Sequence, residues 1–180
     1  IEKDLKAYLE EFSNSEIDFY RFHGNYGDSL IYHGTRTLLD ELKIQTNLVD
    51  IDSVIKNSTL FIDGGGNLVD EYSDVYTFLS EKYSKYQRIV LLPHTVNGIK
   101  AKGLIEKFNS NITLFCREKH SYDYLKNIAT KANIYLWHDC AFYNNLNQYV
   151  KPGQGFLNAF RIDVESKTKK TPTDNADVSY

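Results

Sequence analysis

Between residues 17 and 139, short apolar runs alternate with longer amphipathic ones, and this alternation leaves few folds open. The runs "IDFYRFH" (17–23), "TNLVDI" (46–51), "STLFID" (58–63), "RIVLLPH" (88–94), "NITLFCR" (111–117) and "NIYLWHD" (133–139) read as strands. Most of them are apolar on both sides of the chain rather than on alternate residues. A strand like that is buried on both faces, as in a parallel sheet covered by helices. The intervening segments carry apolar residues at helical spacing. Examples are Leu30, Ile31, Leu38, Leu39 and Leu42, then Tyr72, Val75, Tyr76, Leu79 and Tyr83. "IEKDLKAYLEEF" (1–12), "NGIKAKGLIEKF" (97–108) and "HSYDYLKNIAT" (120–130) read as further helices, the second of them capped near Asn97. Together they predict a Rossmann-like, doubly wound α/β domain over residues 1–150.

An open parallel sheet binds its ligands beyond the carboxyl ends of its strands. The polar residues of this sequence gather at those positions. Successive strands end in His23-Gly24-Asn25, Asp63-Gly64-Gly65-Gly66-Asn67, Pro93-His94-Thr95, Cys116-Arg117-Glu118 and His138-Asp139-Cys140. None is specific alone, and each has an ordinary explanation. Gly24 and Gly27 can serve a tight turn. Asp28 can cap a helix that begins just after it. His94 and His138 can be satisfied core imidazoles, and Arg117 can pair with Asp139 or clamp a phosphate or carboxylate. Three glycines at 64–66 exceed what a turn needs. They let main-chain amides approach a ligand, with a helix N-terminus expected to follow. They lack both the GxGxxG spacing and the P-loop lysine.

Composition excludes several classes. The net charge of −3 comes without a basic stripe, which argues against a nucleic-acid partner. The run "IVLL" (89–92) is far too short to span a bilayer, and no leader pattern opens the chain, so a cytoplasmic location is expected. Two cysteines, Cys116 and Cys140, are too few for a disulfide framework. They read as small core residues. A zinc site made with His138 lacks CxxC support, and no metal is expected. The chain begins at Ile1, contains no methionine and ends in the polar "KTKKTPTDNADVSY", so it is expected to be a piece of a longer protein.

The motifs "GNYGDSLI", "FIDGGGNL", "LLPHTV" and "CREKHSYDYL", in this order, resemble the polysaccharide pyruvyl transferase family, and "GQGFLNAFRIDVES" resembles the segment where that family's chain leaves its first domain. The resemblance implies a GT-B-like pair of Rossmann-like domains. Residues 151–180 would then be a crossover toward a second domain. It implies transfer of a pyruvyl group from phosphoenolpyruvate to two sugar hydroxyls as a cyclic ketal, in exopolysaccharide or cell-wall biosynthesis. It makes phosphoenolpyruvate a co-substrate, with no cofactor, and a glycan or lipid-linked saccharide the acceptor. Through that acceptor the protein could associate peripherally with a membrane. Arg117, Gly64, Gly65, Gly66 and Asn67 are expected to hold the donor's anionic groups, and Gly24, Asn25 and Gly27 the acceptor. Proton transfer falls to Asp28, His94 and His138, since imidazoles and carboxylates can give and take protons. The piece alone is expected to fold without being active. The competing readings are a GT-B-type nucleotide-sugar glycosyltransferase and a non-catalytic carbohydrate-binding domain.

Overall fold

A computed structural model of the chain describes residues 2–160, 162 and 171–176. The rest of the expected crossover, including most of "RIDVES", lies outside the described residues. Seven strands form one sheet: β1 (Glu16–Tyr20), β2 (Gln45–Val49), β3 (Thr59–Ile62), β4 (Gly65–Leu68), β5 (Arg88–Val96), β6 (Ile112–Cys116) and β7 (Asn133–Leu136). The order is β2-β1-β3-β5-β6-β7, with β4 attached to β5, and every pairing is parallel. The chain is thus a Rossmann-like α/β domain. The direction of winding reverses between β1 and β3, which opens a crevice above their carboxyl ends.

Side chains on alternate strand residues sort into two cores. Leu60, Ile62, Ile89, Leu91, Ile112 and Leu114 pack against α3 (Asp74–Lys82), α4 (Ile99–Ile105) and α5 (Lys119–Lys126). Phe61, Val90, Leu92 and Phe115 face the other way, onto α1 (Leu5–Leu9), α2 (Tyr26–Glu41) and the 3-10 turn Cys140–Tyr143. This is why the central strands are apolar throughout: β6 is buried at all of its residues, whereas the edge strand β7 has none that is fully buried.

A buried polar exception is Asp18, in the middle of β1 and fully shielded from solvent. Its carboxylate accepts from Asn47 Nδ2 (2.9 Å), Asn57 Nδ2 (3.0 Å), the Lys56 amide (3.1 Å) and the Tyr86 hydroxyl (3.0 Å). Burial pushes its pKa up, but the four donors together outweigh that and hold it below the usual carboxylate range.

Several boundaries differ from the sequence reading. β1 stops at Tyr20 instead of running on to residue 23, and α3 starts at Asp74 instead of near residue 70. α2 begins at Tyr26, ahead of Asp28, because Asn25 is its N-cap. α4 is capped from a distance: the Asp70 carboxylate accepts from the amides of Ile99 and Lys100, both at 2.9 Å, and Gly98, next to Asn97, takes the N-cap position.

Candidate active site at the carboxyl ends of the strands

The glycines at 64–66 do not lead into a helix. Gly65 and Gly66 begin β4, which resumes the line of β3 after two residues and pairs with the second half of the long β5. Gly64 lies against the Pro93 carbonyl, which a Cβ would meet at 2.8 Å, and its amide donates to Asp63 Oδ1 at 3.0 Å. That amide is therefore not free for an anion. Gly65 has φ of +148°, a left-handed conformation that favours glycine, and a side chain there would collide with the Phe22 ring at 2.7 Å. Gly66 is different. The nearest atom its Cβ would meet is Arg117 Nη2, at 3.5 Å. β4 pairs with β5 alone among the described strands, so its other edge carries main-chain groups outside any ladder.

Arg117 follows β6 and is held from two sides. Its Nε donates to Thr95 Oγ1 (2.7 Å) and its Nη1 to Asp139 Oδ2 (3.0 Å). The second contact is an ion pair with side-chain exposures of only 29% and 17%. Asp139 Oδ1 accepts from the Ala141 amide (2.8 Å) and so caps the Cys140–Tyr143 turn. Two of the guanidinium's nitrogens are thus committed, and the third faces Gly66. Arg117 also borders a cleft of about 370 Å³, lined further by Glu2, Glu118, Lys119, Leu136, Trp137 and His138.

The turn after β1 has a structural explanation that the sequence left open. The Asn25 side-chain oxygen accepts from the amides of Gly27 (2.8 Å) and Asp28 (3.3 Å), and Asp28 Oδ2 accepts from the Asn25 amide (2.9 Å). This reciprocal capping box satisfies the first amides of α2. Gly24 packs against the Asp28 carboxylate, where no Cβ fits. Asp28 is therefore half committed. Its Oδ1 points toward Gly65, 3.2 Å from where a Cβ would sit. Asp28, Gly65, Gly66 and Arg117 consequently form a continuous line along the sheet edge.

The other expected residues are placed differently. Asn67 is buried and its Oδ1 accepts from the Val75 amide (3.1 Å), which ties β4 to α3 and takes that oxygen away from any ligand. His94 is wholly buried, and its Nδ1 donates to the Leu92 carbonyl at 2.6 Å. Burial and the nearby Arg117 charge push its pKa down to about 4, although the bond to Leu92 acts against them. It stays neutral at physiological pH and keeps one buried nitrogen, Nε2, without a hydrogen-bond partner among the described residues. His138 is exposed and lies among aromatic rings at the cleft wall. Cys116 and Cys140 belong to different cores on opposite faces of the sheet, which separates the residues of the weighed zinc combination. Burial raises both thiols, Cys116 to about 12.

Sequence reasoning did not single out Thr95 or Arg21 as site residues. Arg21 stacks over Tyr32 at 3.9 Å beside the β1–β3 crevice. Its position just after β1 was the available signal. It was hidden by the expectation that the strand ran on to residue 23.

A scan against known families matches the polysaccharide pyruvyl transferases over residues 25–177, a span that takes in the Asn25 cap, the glycine strand, Arg117 and His138. The chain belongs to the polysaccharide pyruvyl transferase family. Among solved structures, this pyruvyl transferase family member is similar to a functionally uncharacterised protein from Klebsiella pneumoniae subsp. pneumoniae, with 26% identity and a TM-score of 0.74. The similarity covers 89% of this chain and 64% of that one, so the chain spans less than two thirds of that protein's length. A search of the curated proteins finds no match. No helix among the described residues of this family member is long and apolar enough to cross a membrane.

Proposed function

We propose that the chain supplies the donor half of an enzyme that transfers pyruvyl from phosphoenolpyruvate to a saccharide, forming a cyclic ketal. The observation that carries this reading is Arg117. Two of its nitrogens are fixed by Thr95 and Asp139, and Nη2 is aimed at the side-chain-free surface of Gly66. A planar guanidinium held in this way suits a phosphate or carboxylate.

The atoms of the reaction balance without a redox partner. A proton adds to the vinyl carbon of phosphoenolpyruvate and leaves an oxocarbenium-like centre. One sugar hydroxyl adds there and phosphate departs. The second hydroxyl then closes the ring. The two hydroxyl hydrogens end on the new methyl group and on the phosphate. In this proposal Arg117 and the Gly65–Gly66 stretch hold the donor's anionic groups. Asp28, through Oδ1, accepts a hydroxyl proton, and His138 at the cleft wall moves the other. His94 is assigned a packing role instead. The acceptor's second wall is assigned to a further domain of the longer protein.

The test is phosphate release from phosphoenolpyruvate by the full-length protein across a panel of glycans, with ketal formation followed by mass spectrometry. Losing a charge-assisted contact costs about 1.5–3 kcal/mol. Arg117→Ala should therefore raise the KM for phosphoenolpyruvate, or lower kcat, at least tenfold. Unchanged kinetics in a folded variant would remove Arg117 from the donor site.

A further inference from the structure

The Cys140–Tyr143 turn carries a feature that the donor chemistry does not use. Phe142 is 77% exposed, a costly state for so large an apolar ring. It does not stand alone. Its centroid lies 5.6 Å from that of His138, with the two planes at 71°. His138 in turn sits 4.8 Å from Trp137 and 5.2 Å from Tyr143. The Trp137 Nε1–H donates to the Tyr143 hydroxyl at 3.1 Å and locks the inner pair. The result is a corner of two exposed rings on a rigid aromatic base.

The corner is built to hold its position. Its turn is capped by Asp139, the carboxylate that also fixes Arg117. Its other side is clamped to α2: Asn144 Nδ2 donates to the Leu30 carbonyl at 2.8 Å, and the Cys140 carbonyl sits against Gly34. One carboxylate therefore sets the distance between the aromatic corner and the guanidinium. His138 and Trp137 also line the cleft that Arg117 borders.

We infer that Phe142 and His138 form the subsite for the acceptor sugar, with the pyranose ring lying on Phe142. The electron-rich face of an aromatic ring attracts the weakly positive C–H groups on one face of a sugar, while that sugar's hydroxyls remain free at its rim. The second ring, almost perpendicular, confines the sugar on one side and sets its hydroxyls toward Arg117 and the donor. The occupant is a neutral saccharide. The corner offers apolar ring faces, and its continuity with the Arg117 cleft places an acceptor where the pyruvyl centre is proposed to form. The inference rests on the reading that phosphoenolpyruvate binds at Arg117, and it can fail separately from it.

Trp137 is the sequence's only tryptophan and touches the base of the corner, so its emission reports occupancy without any need for turnover. The 180-residue chain is titrated with methyl glycosides of glucose, galactose and N-acetylmannosamine, and separately with phosphoenolpyruvate. At least one glycoside should shift Trp137 emission with a saturable curve. Phe142→Ala should weaken that binding at least fivefold, Phe142→Tyr should retain it, and phosphoenolpyruvate binding should be unaffected by either substitution. Failure of every glycoside to bind the wild-type chain, or equal glycoside affinity in Phe142→Ala, overturns the inference. Loss of phosphoenolpyruvate binding alone in Phe142→Ala does so as well. Glycoside binding without any phosphoenolpyruvate binding to the wild type would support the corner and count against the donor site.

Discussion

Asp63 and His94 sit one strand apart, and both are buried in the less charged of their two forms. Burial pushes the Asp63 carboxyl up to about 7, against the pull of the Thr35 hydroxyl, the Gly64 amide and the Arg21 charge. His94 is pushed down to about 4. Stability rises with pH wherever the unfolded chain binds more protons than the folded one. For His94 that holds between about 4 and 6.5, so its contribution grows with pH there. For Asp63 the folded form holds the extra proton between about 4 and 7, so its contribution declines over the same window. Each slope is about 1.4 kcal/mol per pH unit, and the two nearly cancel. Urea titrations between pH 4.5 and 6.5 should therefore find this pair adding little slope. Asp63→Asn should leave the His94 rise uncovered, and His94→Phe should leave the Asp63 decline. If either substitution left the profile's shape unchanged, the balance would be disproved. The two groups look ordinary in the sequence, since an aspartate and a histidine at strand ends announce nothing about their depth.

At the scale of elements, the seam between α2 and the Cys140–Tyr143 turn decides how rigid the site is. Gly34, which reads as a weak point in a helix, is where that seam closes. A Cβ there would lie 2.0 Å from the Cys140 carbonyl oxygen, a backbone atom with little room to yield. Gly34→Ala should cost about 1–3 kcal/mol, the usual range for an overpacked contact, and it should loosen the turn that carries Asp139. Thermal unfolding gives the first effect, and the KM for phosphoenolpyruvate gives the second. A variant as stable as wild type would show that the seam can open freely. The alternation of apolar and amphipathic runs made the sheet and its helices legible, because parallel pairing needs strands apolar on both faces. β4 was not legible. Glycines have little strand propensity, and the partner strand β5, with its long run from Arg88 to Val96, draws Gly65 and Gly66 into the ladder. The cap on α4 was hidden for a similar reason, since Asp70 and Ile99 are 29 residues apart in the chain. Convergence of Arg117 with Gly66 could be anticipated as a shared edge. The commitment of Asn25 and Asn67 to backbone amides of α2 and α3 could not, because such bonds depend on where each helix actually starts.

On the scale of the whole molecule, the sheet and its two cores account for the buried apolar residues, and the described residues beyond Val150 add none. Phe156 and Leu157 are fully or largely exposed, at 104% and 75%. Chymotrypsin should therefore cut first at these positions and leave the sheet intact, since exposed segments with few backbone contacts are nicked preferentially. The trimmed product should melt at the same temperature as the whole chain. A large drop would mean that the tail supports the domain. The network around Asp18 reaches across the same sheet in a different sense. It joins a residue of β1 to one of β2, to two before β3 and to Tyr86 ahead of β5. A carboxylate lost there strands its donors, and a donor lost there strands a buried charge, so neither change is tolerated alone. Over evolutionary time, positions 18, 47, 57 and 86 should drift as a group or stay fixed. An alignment in which an acidic residue persists at 18 while the other three turn apolar independently would show that lineages can break the set one member at a time.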